Sequence, residues 1–269
     1  MKPADLTSLR DERQQLILDQ LARDGRVLAV DLSRRFGISE DTIRRDLREL
    51  RSAGLCRRVY GGALPLSQSG GTLAQRQGEE PARKAALGEA AAALIRAVLP
   101  SGGVLFLDAG STNLAVAHAL PADLDITVVT NAPGIAAALI AMSGIELVMI
   151  GGRIDVRSGA ALGVRALRDL NHMRVDLALL GTCAIDAGAG LAAFSLEEAE
   201  LKRAVAEVAA STATAVTSDK LGTVAPFGVM AASLLTHLVA EAEAPELALA
   251  SLRTLGVQVH RAASAEVRS

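Results

Sequence analysis

From residue 104 onward the chain repeats one pattern: a short apolar run, a glycine or small polar residue, then a helix-like stretch. The runs fall at 104–107, 126–130, 146–150, 175–180 and 214–217. Helix-like segments cover 84–99, 112–120, 133–142 and 196–210, and a last helix and strand cover 245–259. Short strands apolar on both faces, alternating with helices, predict an α/β domain with a mostly parallel sheet covered on both sides. The chain has four Phe, one Tyr and no Trp. Its core must be built from Ala, Val, Leu and Ile, and stacking on single-stranded nucleic acid is not expected.

In such sheets ligands bind beyond the carboxyl ends of the strands. The polar residues gather there. Asp108, Gly110, Ser111 and Thr112 follow the first strand, and Asn131 ends the second. Gly151, Gly152 and Arg153 follow the third, Gly181 the fourth, and Lys220 the run ending at 217. A Gly-Ser-Thr turn opening a helix offers N–H groups, two hydroxyls and a favourable dipole to an anion. Asp108 suits sugar hydroxyls, with Lys220 or Arg153 completing the charge balance. Each residue alone has a plain alternative as a turn or a cap, and Glu198 with Lys202 reads as a surface ion pair. The set at successive strand ends favours a pocket.

The first 65 residues have a different character. They hold 13 Lys/Arg against 10 Asp/Glu, whereas the rest holds 15 against 20. A basic module on an acidic body is the asymmetry of a DNA-binding unit joined to something else. A helix is predicted over 10–23, stopped by Gly25. A short strand follows at 27–30, then a helix capped by Asp31 with Leu32 and Phe36 inward. Gly37-Ile38-Ser39 makes a tight turn. In the next helix, 40–52, Ile43, Leu47 and Leu50 define the buried face. Arg45 and Arg48 fall opposite, with Arg44 beside them. Arginine offers a donor fork to phosphates and guanine edges. A strand-like run with Arg57, Arg58 and Tyr60, then Gly61-Gly62, reads as a wing along the phosphate backbone.

The run from Val30 to Leu50, with Ser39-x-x-Thr42-Ile43-Arg44-Arg45-Asp46-Leu47, closing on Arg58-Val59-Tyr60-Gly61-Gly62, resembles the DeoR family of bacterial regulators. The resemblance continues through Asp108-Ala109-Gly110-Ser111-Thr112, 127–131, Gly151-Gly152, 176–181 and the stretch from Glu198 to Lys202. It implies a winged helix-turn-helix over 1–64, a linker over 65–80, and an effector-sensing domain over 81–262 with a fold similar to ribose-5-phosphate isomerase. It implies Ser39, Thr42, Arg44, Arg45, Arg48, Arg57, Arg58 and Tyr60 at DNA, and Lys202 in the effector set. The implied partners are double-stranded operator DNA and a small phosphorylated sugar, and the implied role is repression of a carbohydrate catabolic operon. Three places depart from the family pattern. Tyr60 stands where His is common, Thr217-Ser218-Asp219-Lys220 where Asp-x-Ser-Lys is common, and Val239-Ala240-Glu241 where Val-Thr-Asp is expected.

Cys56 and Cys183 lie far apart, so neither a disulfide nor a zinc site is expected. Neither a cofactor nor a metal is predicted. The start of the chain shows no leader pattern and no run suits a bilayer, so a cytoplasmic protein is expected. Paired half-sites favour a homo-oligomer, a dimer or tetramer. The competing reading is a sugar-phosphate isomerase with a DNA-targeting domain, using Asp108, Glu198 and Lys220 as acid and base.

Overall fold

The structure is a computed structural model and describes residues 10–24, 26–59, 61–65 and 71–264. Gly25 and Tyr60 lie outside the described residues.

The N-terminal part consists of α1 (Arg10–Asp24), β1 (Val27–Leu28), α2 (Ala29–Phe36), α3 (Glu40–Ser52), β2 (Cys56–Val59) and β3 (Gly62–Pro65). The strands form an antiparallel sheet in the order β1-β3-β2. Ile17, Leu21, Leu32, Phe36, Ile43, Leu47 and Leu50 share one apolar core. The strand expected over 27–30 ends at Leu28, because only Val27 and Leu28 pair with the wing and the Ala29 N–H turns to Gly61 O at 2.8 Å. Helix α2 therefore begins earlier than expected. Asp31 lies in its first turn and does not cap it. Gly37 adopts φ 68°, the left-handed turn that ends α2. Ser39 then caps α3 by accepting from the Thr42 N–H at 3.2 Å.

The stretch expected as a linker carries a helix, α4 (Leu73–Gly78). Thr72 and Gln75 cap it reciprocally. The sensor part follows as α5 (Pro81–Val98), β4 (Val104–Leu107), α6 (Ser111–Ala119), β5 (Ile126–Thr130), α7 (Pro133–Leu139) and β6 (Ile145–Met149). Next come β7 (Arg153–Asp155), β8 (Ala160–Leu162), α8 (Val164–Leu170), β9 (Val175–Leu179), β10 (Ala184–Asp186) and β11 (Gly190–Ala193). The chain continues through α9 (Leu196–Val208), β12 (Ala209–Val216), β13 (Phe227–Met230), β14 (His237–Ala240), α10 (Glu246–Arg253) and β15 (Gln258–Arg261).

Seven strands form one sheet in the order β15-β14-β12-β9-β4-β5-β6, and every pair is parallel. Strand β4 has its successor β5 on one side and the much later β9 on the other. The order of the chain reverses between β4 and β9, which opens a crevice at their carboxyl ends. A β7-β8 hairpin and a small β10-β11-β13 sheet stand beside the main one. The sensor core is separate from that of the N-terminal part. The two parts touch where Arg57 Nη1 donates to Ala225 O at 2.5 Å and Val224 N to Pro65 O at 3.3 Å.

Candidate functional site: a basic helix and a cation-lined cleft

Helix α3 buries Ile43, Leu47 and Leu50 and exposes Arg44, Arg45 and Arg48. Arg44 pairs with Glu40 at 2.7 Å along the helix, and Arg48 Nε donates back to Arg44 O at 3.2 Å. Ser39 and Thr42 bond to each other at 2.9 Å, so their hydroxyls shape the turn. Sequence reasoning missed what holds α3 in place. Asp46 is 1% exposed and accepts a two-pronged bond from Arg13 of α1, Nε at 2.6 Å and Nη2 at 3.0 Å. Position 46 lies on the apolar stripe, three residues after Ile43 and four before Leu50. A charge there was the available signal.

The wing corrects one expectation. Arg57 is exposed, but its Nη1 is taken up by Ala225 O of the sensor part, a partner other than the phosphate backbone expected for it. Arg58 is half-buried, with a buried Nε that has no partner among the described residues.

In the sensor part a cleft opens at the β4/β9 crevice. Its walls include Gly110, Ser111, Thr112, Gly181, Lys202 and Lys220, six of the predicted residues. Asp108 lies beneath the cleft at 1% exposure. Its Oδ1 accepts from Ala109 N at 2.8 Å, and its Oδ2 from Gly181 N at 2.9 Å and from Lys202 Nζ. Occupied in this way, Asp108 organises the floor and does not hold sugar hydroxyls. Gly181 is required here, since a Cβ would fall 2.2 Å from Ala109 O. Lys202 likewise departs from the expected surface pair with Glu198. It is 5% exposed and turned inward, and α9 lays it over Asp108. Burial works against its charge, but Asp108 and Glu198 outweigh burial and hold the ammonium above the usual lysine range.

Three kinds of group remain for a ligand. The Thr112 Oγ1 is buried in the cleft wall without a partner among the described residues. The Lys220 ammonium, on the turn after β12, makes no hydrogen bond or ion pair among the described residues. Burial pushes its ammonium below the usual range, Arg76 and Lys84 add to that push, and Cys183 and Asp219 oppose it. Helix α6 starts at Ser111 and directs its first N–H groups at the same space.

Four predicted residues lie elsewhere. Asn131 is fully buried behind the loop, where its Oδ1 accepts from Ala109 N at 3.0 Å. Gly151, Gly152 and Arg153 follow β6, which is the edge strand and three places from β9. Gly151 N donates to Asp169 at 3.2 Å, Gly152 lies against Leu162, and Arg153 pairs with Glu197 at 2.5 Å on the surface. Sequence reasoning missed Asn113, whose Nδ2 bridges Asp108 O and Leu179 O at 2.8 and 3.1 Å and so ties the two strands at the crevice.

Two departures from the family pattern meet in space. Glu241 Oε2 accepts from Ser218 N at 2.8 Å and Ser218 Oγ at 2.6 Å, and Arg83 donates to both carboxylate oxygens at 2.6 and 2.7 Å. The two altered positions support one another and fix the turn that presents Lys220. Among the described residues no cluster of three His, Cys, Asp or Glu suits a metal, and no helix is long and apolar enough to cross a membrane.

The family described as the DeoR-like helix-turn-helix domain matches residues 13–69, and that described as the DeoR C terminal sensor domain matches 79–242. The glycerol-3-phosphate regulon repressor of Escherichia coli (strain K12) is 30% identical over 87% of this chain and 92% of its own length. The HTH-type transcriptional regulator GlpR of Haloferax volcanii is 36% identical over 78% of this chain and 82% of its own. Ribose 5-phosphate isomerase from Methanocaldococcus jannaschii superposes with a TM-score of 0.36 at 16% identity, over 50% of this chain and 53% of that one. With a basic recognition helix in front, a crevice-bound cleft behind and both family matches in register with them, this chain belongs to the DeoR family of transcriptional regulators.

Proposed function

We propose that this regulator represses a carbohydrate or polyol catabolic operon under the control of a small phosphorylated metabolite bound in the β4/β9 cleft. The observation that carries the effector half is the unpaired Lys220 beside the buried, unpartnered Thr112 hydroxyl at the start of α6. A phosphate dianion supplies what that constellation lacks. Relatives named for a glycerol-3-phosphate regulon support the same class of ligand. Arg44, Arg45 and Arg48 enter the major groove, and two copies of the chain read two half-sites. The cytoplasm is the compartment where such a protein works.

Arg45→Ala and Arg48→Ala are each expected to weaken operator binding by about 1–3 kcal/mol, the worth of a base-edge contact, with unchanged thermal unfolding. Wild-type operator affinity in both variants would remove α3 from the groove. For the cleft, the test is thermal stabilisation of the full chain by phosphate esters of sugars. It should be present in the wild type and lost in Ser111→Ala/Lys220→Met.

The lowered Lys220 pKa sets a pH dependence. An arriving anion raises that pKa again, so binding takes up protons and weakens as pH rises through the lowered value. Above about pH 7 the phosphate is already dianionic. Calorimetry in buffers of different ionisation enthalpy should there show proton uptake in the wild type and none in Lys220→Met. Equal uptake in both proteins would place the titrating group elsewhere.

A second reading as a sugar-phosphate isomerase has one observation behind it. Glu198 lines the same cleft as Lys220, a carboxylate within the ligand space. Turnover of ribose 5-phosphate by the purified protein would establish it; we expect none.

A further inference from the structure

The cleft has a wall that comes from outside the sensor part. Arg76, on α4 in the stretch between the wing and α5, lines it beside Ser111, Thr112, Lys202 and Lys220. Its guanidinium has no carboxylate partner among the described residues. Nη1 donates to Gly71 O at 2.7 Å and Nη2 to Arg157 O, in the β7-β8 turn, at 3.3 Å. The second bond is long for a charged donor. Arg76 and Lys220 repel one another across the cleft. Helix α4 is held from three sides. It packs on α6, Leu73 presses on Gly159 of the β7-β8 turn, and Lys84 of α5 donates to Arg76 O and, at 2.6 Å, to Glu79 O. The cleft is narrow at its depth, with room there for a few waters, and its mouth is open to solvent. A phosphorylated ligand seated against Thr112 and Lys220 lies against the wall that Arg76 provides.

We propose that Arg76 is a ligand contact. Its guanidinium leaves Arg157 O and closes on the phosphate held by Thr112, Lys220 and the start of α6. The same step moves α4, which follows the wing in the chain. This inference rests on the phosphate reading of the cleft and adds to it the residue that transmits occupancy. A ligand shifts an equilibrium only through contacts that differ between the two states. Lys220 sits on the turn after β12, part of the sensor fold, and keeps its place whether or not α4 shifts. Arg76 offers its fork only when α4 has shifted, so coupling runs through Arg76.

The experiment uses the full chain with glycerol 3-phosphate, ribose 5-phosphate, fructose 1-phosphate and inorganic phosphate as probes. Affinity is read by calorimetry. Coupling is read as the ratio of operator affinities with and without saturating probe. Arg76→Ala is expected to lower probe affinity about tenfold, the loss of a charge-assisted bond pair, and to bring the ratio at saturation close to one. Arg76→Lys should recover part of the affinity and little of the ratio. Leu73→Ser frees α4 without altering a cleft residue and should also collapse the ratio, which guards against a folding defect specific to position 76. Lys220→Met should lose affinity and keep the ratio at saturation. A probe that binds wild type and Arg76→Ala equally, or an Arg76→Ala ratio equal to wild type at saturation, overturns the inference and leaves the phosphate cleft standing. If none of the probes binds the wild type, both fall.

Discussion

Replacing Asp46 with Ala is expected to destabilise the N-terminal part by about 3–5 kcal/mol, the loss found when one partner of a buried ion pair is removed. Arg13 is 6% exposed, and the substitution removes the carboxylate that both prongs grip, leaving Glu49 as a weaker counter-charge. A domain of this size is stable by only about 5–15 kcal/mol, so most of the margin is lost. The pair joins α1 to α3, and its loss frees the recognition helix as well as the core. The two cores are separate. Calorimetry should therefore show the transition of the N-terminal part moved down or abolished while that of the sensor part stays in place. An unchanged N-terminal transition would mean that the pair contributes nothing net.

The second large effect is expected at Lys202. Lys202→Met keeps the stem and removes the cation that faces Asp108, a carboxyl at 1% exposure that retains two backbone N–H donors. The expected cost is again about 3–5 kcal/mol, here in the sensor transition. Adding Asp108→Asn should restore only part of it, since it removes the buried charge but sets an amide NH2 against one of the two N–H groups that the carboxylate accepts from, and the non-additivity measures the coupling. The pair also sets an alkaline limit. The folded pKa of Lys202 is raised, so its contribution is fully present below the ordinary lysine pKa and is lost as pH climbs through the raised value. Wild-type sensor stability should fall steeply there, and Lys202→Met should lack that fall. Equal alkaline slopes in the two proteins would assign the titration to another group.

Much of the architecture was legible because each element repeats its period locally. Ile43, Leu47 and Leu50 mark one helical face, and the runs at 104–107 and 126–130 coincide with β4 and β5. What local pattern does not contain is strand order. Gly151, Gly152 and Arg153 end a strand as Gly181 does, but β6 is the sheet edge and β9 adjoins β4. Only that order decides which strand ends share a crevice. Asp46 was missed and Lys202 misread for a common reason. Each is a charge on the apolar stripe of an amphipathic helix, and its partner lies 33 or 94 residues away. A charged residue on such a stripe is a sign of a buried pair, while the partner's identity needs the fold. Arg76 was missed because the Gly, Ser and Gln around it read as a linker; the Thr72–Gln75 capping box was the overlooked sign of a helix. Strands β7, β8, β10, β11 and β13 are three or four residues long, too short for alternation to show.

The most direct test of regulated DNA binding is fluorescence anisotropy with DNA from upstream of the protein's own gene, at one fixed salt concentration, since phosphate contacts make affinity strongly salt-dependent. Scrambled DNA and a panel of sugar phosphates with their unphosphorylated parents complete the measurement. The predicted result is specific binding that one phosphate ester changes by a coupling of about 1–3 kcal/mol and that its unphosphorylated parent leaves unchanged. Specific binding that responds equally to the ester and its parent, or to neither across the panel, would contradict it.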